Sequence, residues 1–289
     1  MITTAEEAVP AARHTGVVGV QATARITAAV RGGATTLPVL DGDGPFELRR
    51  LRPRGTEARV CIVGAMSAPL GGDRLHIETA VQQGAVLHVT SAAATLALRG
   101  PTREPATYAV HLTVEEHAEL HWSPKPLICA AGSRLRQTWT IDLAPTARLV
   151  LREEQVLGRT GEPPGHVTTR LTVRRDGAVL LDQEAEYGPG APAWDGPAVL
   201  ADHRATGQIL IVDPAFENTP PDARLYGDTP QTGYAALTPL AGPAALITAI
   251  APRGLQLRQL LDTVRTSLRR PTSPTTHAET SHRRTKPAR

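Results

Sequence analysis

The sequence predicts an all-β chain whose short strands stack in a β-helix-like repeat, closed by one amphipathic helix near the C-terminus. Three observations carry that expectation. Residues 74–81, RLHIETAV, alternate strictly: Leu75, Ile77, Thr79 and Val81 fall on one side and Arg74, His76, Glu78 and Ala80 on the other, the period of a half-buried strand. A short unit, apolar-x-x-x-Ala-x-Leu, recurs at a near-constant spacing. Composition is the third: 41% of residues are hydrophobic but only 3% aromatic, with 25 Gly and 25 Pro among 289, which suits thin layers of small aliphatic side chains joined by many turns.

Residues 17–30 alternate loosely and end in GGATT, a strand running into a turn. The Gly-, Pro- and Arg-rich stretch 41–55 reads as loop with one short strand at Phe46 to Leu51. The apolar run VCIVGAM, bounded by turn residues, is a buried strand over Arg59 to Met66. The repeat follows, read as a strand–turn–strand hairpin at Val81–Leu87, Val114–Leu120 and Leu143–Leu149. A fourth copy, Val173–Leu180, has one extra turn residue. Its alanines, Ala85, Ala118, Ala147 and Ala178, are 33, 29 and 31 residues apart, and Leu240–Leu246 lies about two periods further on. Each unit of such a repeat buries one face on its neighbours, so the chain stacks sheets instead of closing one globule. Beyond a loop at Gly188–Pro197, strand character returns at Gln208–Val212 and Ala245–Ile250. Leu257, Leu260, Leu261, Val264 and Leu268 then hold helical spacing, which predicts a helix over Leu255 to Arg270, stopped by Pro271. Residues 1–270 are expected to form one β-rich domain and 271–289 a disordered basic tail.

The net charge of +3 resides in that tail, where Arg283, Arg284, Lys286 and Arg289 outweigh Glu279. No basic face is left for nucleic acid. Cys61 and Cys129 lie far apart without a CxxC, against a Cys-rich zinc site or a disulfide framework. The N-terminus has no apolar leader and no stretch reaches membrane-spanning length, so the expectation is a cytoplasmic protein without a membrane partner. GxxxxGK[ST] and GxSxG are absent, and His117-Ala-Glu-Leu-His121 misses HExxH by one position in its Glu. The sequence therefore predicts neither P-loop nucleotide hydrolysis nor a zincin site.

Five histidines, His76, His88, His111, His117 and His121, crowd one region, and alternation puts His76, His88, His111 and His121 on the polar side of their strands. The bland reading is solvated surface imidazole; the sharper one makes His88 and His121 metal ligands, as borderline nitrogen donors suit Ni²⁺ or Zn²⁺. The repeat places these two at equivalent points of neighbouring coils, as a cross-strand pair, with Val150 and Leu181 in the corresponding later positions. Leu70-Gly-Gly-Asp73 reads as a turn in which Asp73 bonds a backbone N–H; the alternative is an acid at the mouth of a cavity. In LVLREEQVLGR, Glu153 and Glu154 take opposite faces of a strand, so one points inward and needs a partner.

Six motifs occur in a fixed order: Pro69-Leu-Gly-Gly-Asp73-Arg-Leu; Gly84-Ala-Val-Leu-His-Val-Thr90-Ser91-x-Ala-Ala-Thr95; Trp122-x-Pro124-x-Pro126-Leu-Ile128; Ala144-Pro145-x-Ala-Arg-Leu; Leu157-Gly158-Arg159-x-Gly161-Glu162; and Arg175-Asp176-Gly177. The series resembles the urease accessory protein UreD (UreH) family. Ala92 and Leu96 stand where the family usually has Gln and Lys, and His121-Trp122-Ser123-Pro124-Lys125 replaces Glu-Trp-Leu-Pro-Gln. The family's Arg-Ile-Trp near the C-terminus is missing. The chain thus resembles a divergent member.

The resemblance implies a non-enzymatic factor with a β-helix-like fold. Such factors bind apo-urease and a UreF-type protein, reach a UreG-type GTPase through it, and help deliver nickel. Matched position by position, Asp73 and Glu153 become candidate acids of a transient Ni²⁺ path, and Thr90, Ser91 and Thr95 line it, with no cofactor held tightly. The competing reading from the residues alone is a β-solenoid binding or carbohydrate-active protein. Nine unclustered aromatics speak against the aromatic shelf it needs.

Overall fold

A computed structural model describes residues 19–268. The basic tail expected over 271–289 and the first residues of the strand expected over 17–30 lie outside them. The described residues are 54% strand and 7% helix, in a solenoid-like stack.

The order is β1 (Gln21–Arg31), β2 (Ala34–Asp41), β3 (Phe46–Arg50), β4 (Ala58–Gly64), β5 (Arg74–Val81), β6 (Val86–Ser91), β7 (Thr95–Ala97), β8 (Ala106–Val114), β9 (Glu119–Trp122), β10 (Leu127–Cys129), β11 (Arg134–Leu143), β12 (Arg148–Leu157), β13 (His166–Arg175), β14 (Ala178–Tyr187), β15 (Ala205–Val212), β16 (Arg224–Thr229), β17 (Gly233–Pro239), β18 (Ala244–Ala251) and α1 (Gly254–Ser267). One sheet of seven strands runs β14-β13-β11-β8-β5-β1-β2. The other, of eleven, runs β16-β17-β18-β15-β12-β9-β6-β4-β3, with β7 and β10 pairing beside β12. The middle of each sheet is parallel, because successive coils pass from one sheet to the other and back. Antiparallel strands flank both parallel cores.

The period in the sequence is the period of the coils. Register offsets of 33 (His88 opposite His121) and 29 (Leu120 opposite Leu149) reproduce the first two alanine spacings. The unit is nevertheless not a hairpin in its first three copies, since the strands on either side of each turn belong to different sheets. The turn itself is tight in each: the N–H groups of Ala85, Ala118 and Ala147 donate to the carbonyls of Gln82, Glu115 and Ala144 at 2.9–3.1 Å. The groups beside it bond to the next coil instead of across the turn, with Glu115 N–H on the Val81 carbonyl and Ala144 N–H on that of Val114, both at 2.9 Å. Alternation alone cannot separate such an arc from a hairpin, because both show apolar strands around a short polar turn. The fourth copy and Leu240–Leu246 are true hairpins, β13–β14 and β17–β18.

Alanine recurs because the corner has no room. Ala85, Ala118 and Ala147 are at most 1% exposed and sit in the main core. Between the sheets, like positions stack: Ile77, Val110, Trp139 and Leu171 form one row, and Leu87, Leu120 and Leu149 another. Trp122 and Trp139 meet edge to face at 6.2 Å.

Two features escape the sequence reading. Strand β2 carries Pro38, which an edge strand paired only to β1 accommodates. The β16–β17 hairpin lacks a clean period because β16 is an exposed edge, with Leu225 83% exposed.

Helix α1 begins and ends near the expected bounds and buries Leu257, Leu261 and Val264 against the outer face of β12, β15, β17 and β18. A buried carboxylate anchors it. Glu154, on the outer face of β12, pairs with Arg152 beside it and with Arg258 of the helix, whose Nη2 is 2.8 Å from Glu154 Oε2. Arg152 also reaches Asp262 and the Arg258 carbonyl. Among the described residues no helix is long and apolar enough to cross a membrane.

Two substitutions test these points. Ala118→Leu should lower folding stability by about 1–3 kcal/mol in denaturant unfolding, the cost of overpacking. Glu154→Gln, which leaves Arg152 and Arg258 without their shared carboxylate, should cost about 3 kcal/mol and free the helix, seen as faster amide exchange in α1.

Candidate functional site

An inward polar cluster interrupts the apolar core. On β12, alternation sends Leu149, Leu151, Glu153, Gln155 and Leu157 between the sheets, while Val150, Arg152, Glu154 and Val156 face α1 and its cluster. Both carboxylates of the Glu-Glu pair are therefore buried, each on its own face: Glu154 finds two arginines, and Glu153 finds none. Gln137 of β11, also buried, follows the same inward alternation as Leu135 and Trp139.

Three cavities follow one another between the sheets. The first, about 280 Å³, has Met66, Leu96 and Tyr108 in its walls together with Ser91 and Thr95. The second, about 50 Å³, shares Ser91, Thr95 and Tyr108 with the first and adds Trp122, Trp139, Gln137, Glu153 and Gln155. The third, about 440 Å³, shares Glu153 and Gln155 with the second, and Thr169, Gln183, Tyr187, Gln208, Leu225 and Tyr234 also line it. Glu153 stands where the second and third meet.

Glu153 Oε2 accepts a hydrogen bond from Gln208 Nε2 at 2.6 Å, and Gln208 Oε1 accepts one from Gln183 Nε2 at 2.6 Å. Glu153 Oε1 is buried without a partner. So are the indole nitrogens of Trp122 and Trp139, in the same small cavity, and the Thr169 hydroxyl beside the large one. Buried polar atoms are rarely left unpaired, so this group marks a place for a polar guest. Burial raises the Glu153 carboxyl to about 7, an effect the Gln208 hydrogen bond only partly offsets. Tyr187 is raised too, first by burial.

Of the other residues singled out in the sequence, Ser91 and Thr95 line the first two cavities, and Asp73, Thr90, His88 and His121 lie elsewhere. Asp73, 2% exposed, staples a corner: its carboxylate accepts the Leu70 N–H at 2.7 Å and the Val20 N–H at 2.8 Å. The corner is close-packed, as a Cβ on Gly19 would lie 2.3 Å from the Gly72 carbonyl oxygen. Ser91 accepts the Lys125 N–H at 2.9 Å and donates to the Ala93 carbonyl at 2.8 Å. Thr90 follows His88 on the opposite face of β6 from Leu87 and Val89, and its hydroxyl donates to the Ser123 carbonyl at 3.2 Å.

His88 and His121 are register partners, stacked with ring centroids 4.2 Å apart and planes 3° from parallel. His121 is followed across the sheet by Val150, as the repeat requires, but Leu181 belongs to the other sheet. Glu119 pairs with His121, which holds its carboxyl below the usual range, and burial followed by the His121 charge lowers His88. Stacked rings turn their faces, not their lone pairs, to each other. Among the described residues no group of three or more His, Cys, Asp or Glu is placed to hold a metal ion.

Sequence reasoning missed Gln137, Gln155, Thr169, Gln183 and Gln208. The available signal is polarity at inward positions of otherwise apolar strands, clear for Gln137 between Leu135 and Trp139. It is hidden in β14, whose alternation is largely polar.

Fold and site together define a β-solenoid-like scaffold with three cavities between its sheets that share polar lining residues. The chain belongs to the UreD urease accessory protein family, whose model matches residues 20–284. It is 63% identical over 244 residues to Urease accessory protein UreD 2 of Saccharopolyspora erythraea, covering 84% of this chain and 86% of that one. It is 57% identical over 252 residues to Urease accessory protein UreD of Streptomyces avermitilis, covering 86% and 98%. Urease accessory protein UreD 1 of S. erythraea is 32% identical over 197 residues, covering 68% and 73%. These relatives are named as accessory proteins, and the carbohydrate-binding alternative gives way to the family.

The buried carboxyl has a thermodynamic signature. A folded-state value near 7 against 4.5 for a free Glu means that the native state holds a proton the unfolded chain has released. Stability should therefore fall as pH rises from about 4.5 to about 7, by on the order of 3 kcal/mol, and level off above. Glu153→Gln should remove that slope, as measured by chemical denaturation at a series of pH values.

Proposed function

We propose that this chain is a urease maturation factor acting in the cytoplasm. In this reading it binds apo-urease and a UreF-type protein, engages a UreG-type GTPase through the latter, and carries Ni²⁺ toward the urease active site through its interior. Family membership supports the maturation role. One observation supports the path: Glu153, buried at the junction of two cavities, keeps one carboxylate oxygen unpaired.

The donors along the cavities suit transit. Ser91 and Thr95 supply hydroxyls, Gln137 and Gln155 amides, and Glu153 a carboxylate with no cationic partner, all oxygen donors that bind a borderline cation less tightly than thiolate or clustered imidazole. A tight tetrahedral site would hold the cargo instead of passing it on. Asp73 serves this path from outside, by fixing the corner between coils, and His88, His121 and Thr90 take no part in it.

The test is reconstituted activation of apo-urease with nickel and the UreF-type and UreG-type proteins, alongside co-purification of the complex. The native chain should assemble and support activation. Glu153→Ala should assemble equally and lower the activation rate about tenfold. Failure of the native chain to capture urease or the UreF-type protein would overturn the maturation reading; unchanged activation by Glu153→Ala would overturn the path.

A further inference from the structure

We propose that Gln183 and Gln208 are positioning residues, whose linked amides reach across the gap between the sheets and hold Glu153 so that only its Oε1 faces the cargo cation. The proposal rests on the nickel path above and adds what aims its carboxylate.

The three side chains come from three strands. Gln208 of β15 lies directly opposite Glu153 of β12 in the larger sheet. Gln183 of β14 comes from the other sheet. The contact between the amides, 2.6 Å, therefore spans the interior, and the next, 2.6 Å, lies along one sheet. Each link constrains the one after it.

Donor and acceptor count fixes the direction of the chain. In the ionised form, the one that receives a cation, the carboxylate only accepts, so Gln208 then turns its NH₂ toward Glu153. Its carbonyl then faces Gln183, which must in turn present its own NH₂. Reversing either amide sets two acceptors against each other. Gln183, although it has no hydrogen bond to Glu153, thus decides which way Gln208 points, and Gln208 occupies Oε2. Oε1 is left as the single free carboxylate oxygen at the junction of the cavities. One unpaired oxygen makes a weak, one-point contact with a divalent ion, whereas a freely rotating carboxylate could offer both and retain it.

The arrangement also ties the carboxylate to sheet separation. Gln183 lies at an outer strand of its sheet, so movement of that edge alters the grip on Gln208. Partners that outline a metal donor without touching the metal commonly change affinity by a factor of ten or more when removed.

The test replaces Gln183 by Glu, an isosteric change that puts an acceptor where a donor stood, and separately by Leu, in reconstituted activation of apo-urease as a function of nickel concentration. Melting temperature and complex assembly are measured on the same samples. Both variants should shift the half-saturating nickel concentration roughly tenfold, with assembly intact and less change in the maximal rate. Introduced into Glu153→Gln, neither should shift it further, because the residue they act through is gone. Equal effects with and without Glu153, or no shift in the single variants, would overturn the positioning role while leaving the path standing. A Glu153→Gln chain with native nickel dependence would overturn the path and the positioning role together.

Discussion

Everything in this protein depends on the four-residue corner that carries each coil from one sheet into the other. The corner permits only a small inward side chain, fixes a hydrogen bond within itself, and hands the neighbouring backbone groups to the next coil. Repeated at Ala85, Ala118 and Ala147, it keeps the coils in register. Register in turn stacks like on like, so one inward position becomes a row through the whole interior. A polar residue placed in such a row faces other strands of the same row instead of solvent.

This makes the consecutive glutamates of β12 informative. Each is buried, because α1 covers the outer face and the second sheet covers the inner one. Glu154 has arginines from its own strand and from the helix, so its charge is matched and it anchors the helix. Glu153 has amides that offer only one hydrogen bond, and its carboxyl rises to about 7. The same side chain in adjacent positions thus serves packing on one face and leaves chemistry unspent on the other. Sites that carry a local cost without local compensation are the expected places for function.

The coil period, the strand β5, the helix α1 and the pairing of His88 with His121 are legible in the sequence because each follows from short-range alternation or spacing. The inward direction of one glutamate in the Glu-Glu pair is legible for the same reason. Which residues face it is not, since Gln208 and Gln183 approach from strands 55 and 30 positions away whose own patterns are mixed. The arcs read as hairpins fail for a related reason: the turn sequence specifies a tight bend, but the partner of each strand is set by the coil 29 to 33 residues along. Pro38 hides an edge strand because its lost donor matters only where a second neighbour exists.

Under the proposed nickel path, a chain that passes a cation on must avoid binding it well, and what this fold stacks is compatible with that demand. Thiols are kept from the passage: Cys129 is buried, and burial pushes its thiol up to about 12, so it offers no thiolate near neutral pH. The stacked imidazoles lie on an outer face, and the acid at Asp73 is spent on two backbone N–H groups. At the junction of the cavities stand hydroxyls, amides and the Glu153 carboxylate with one oxygen engaged. Alternation and corner geometry thus direct Asp73, His88 and His121 away from the junction, and the proposed path is left to donors weak enough to release a cation.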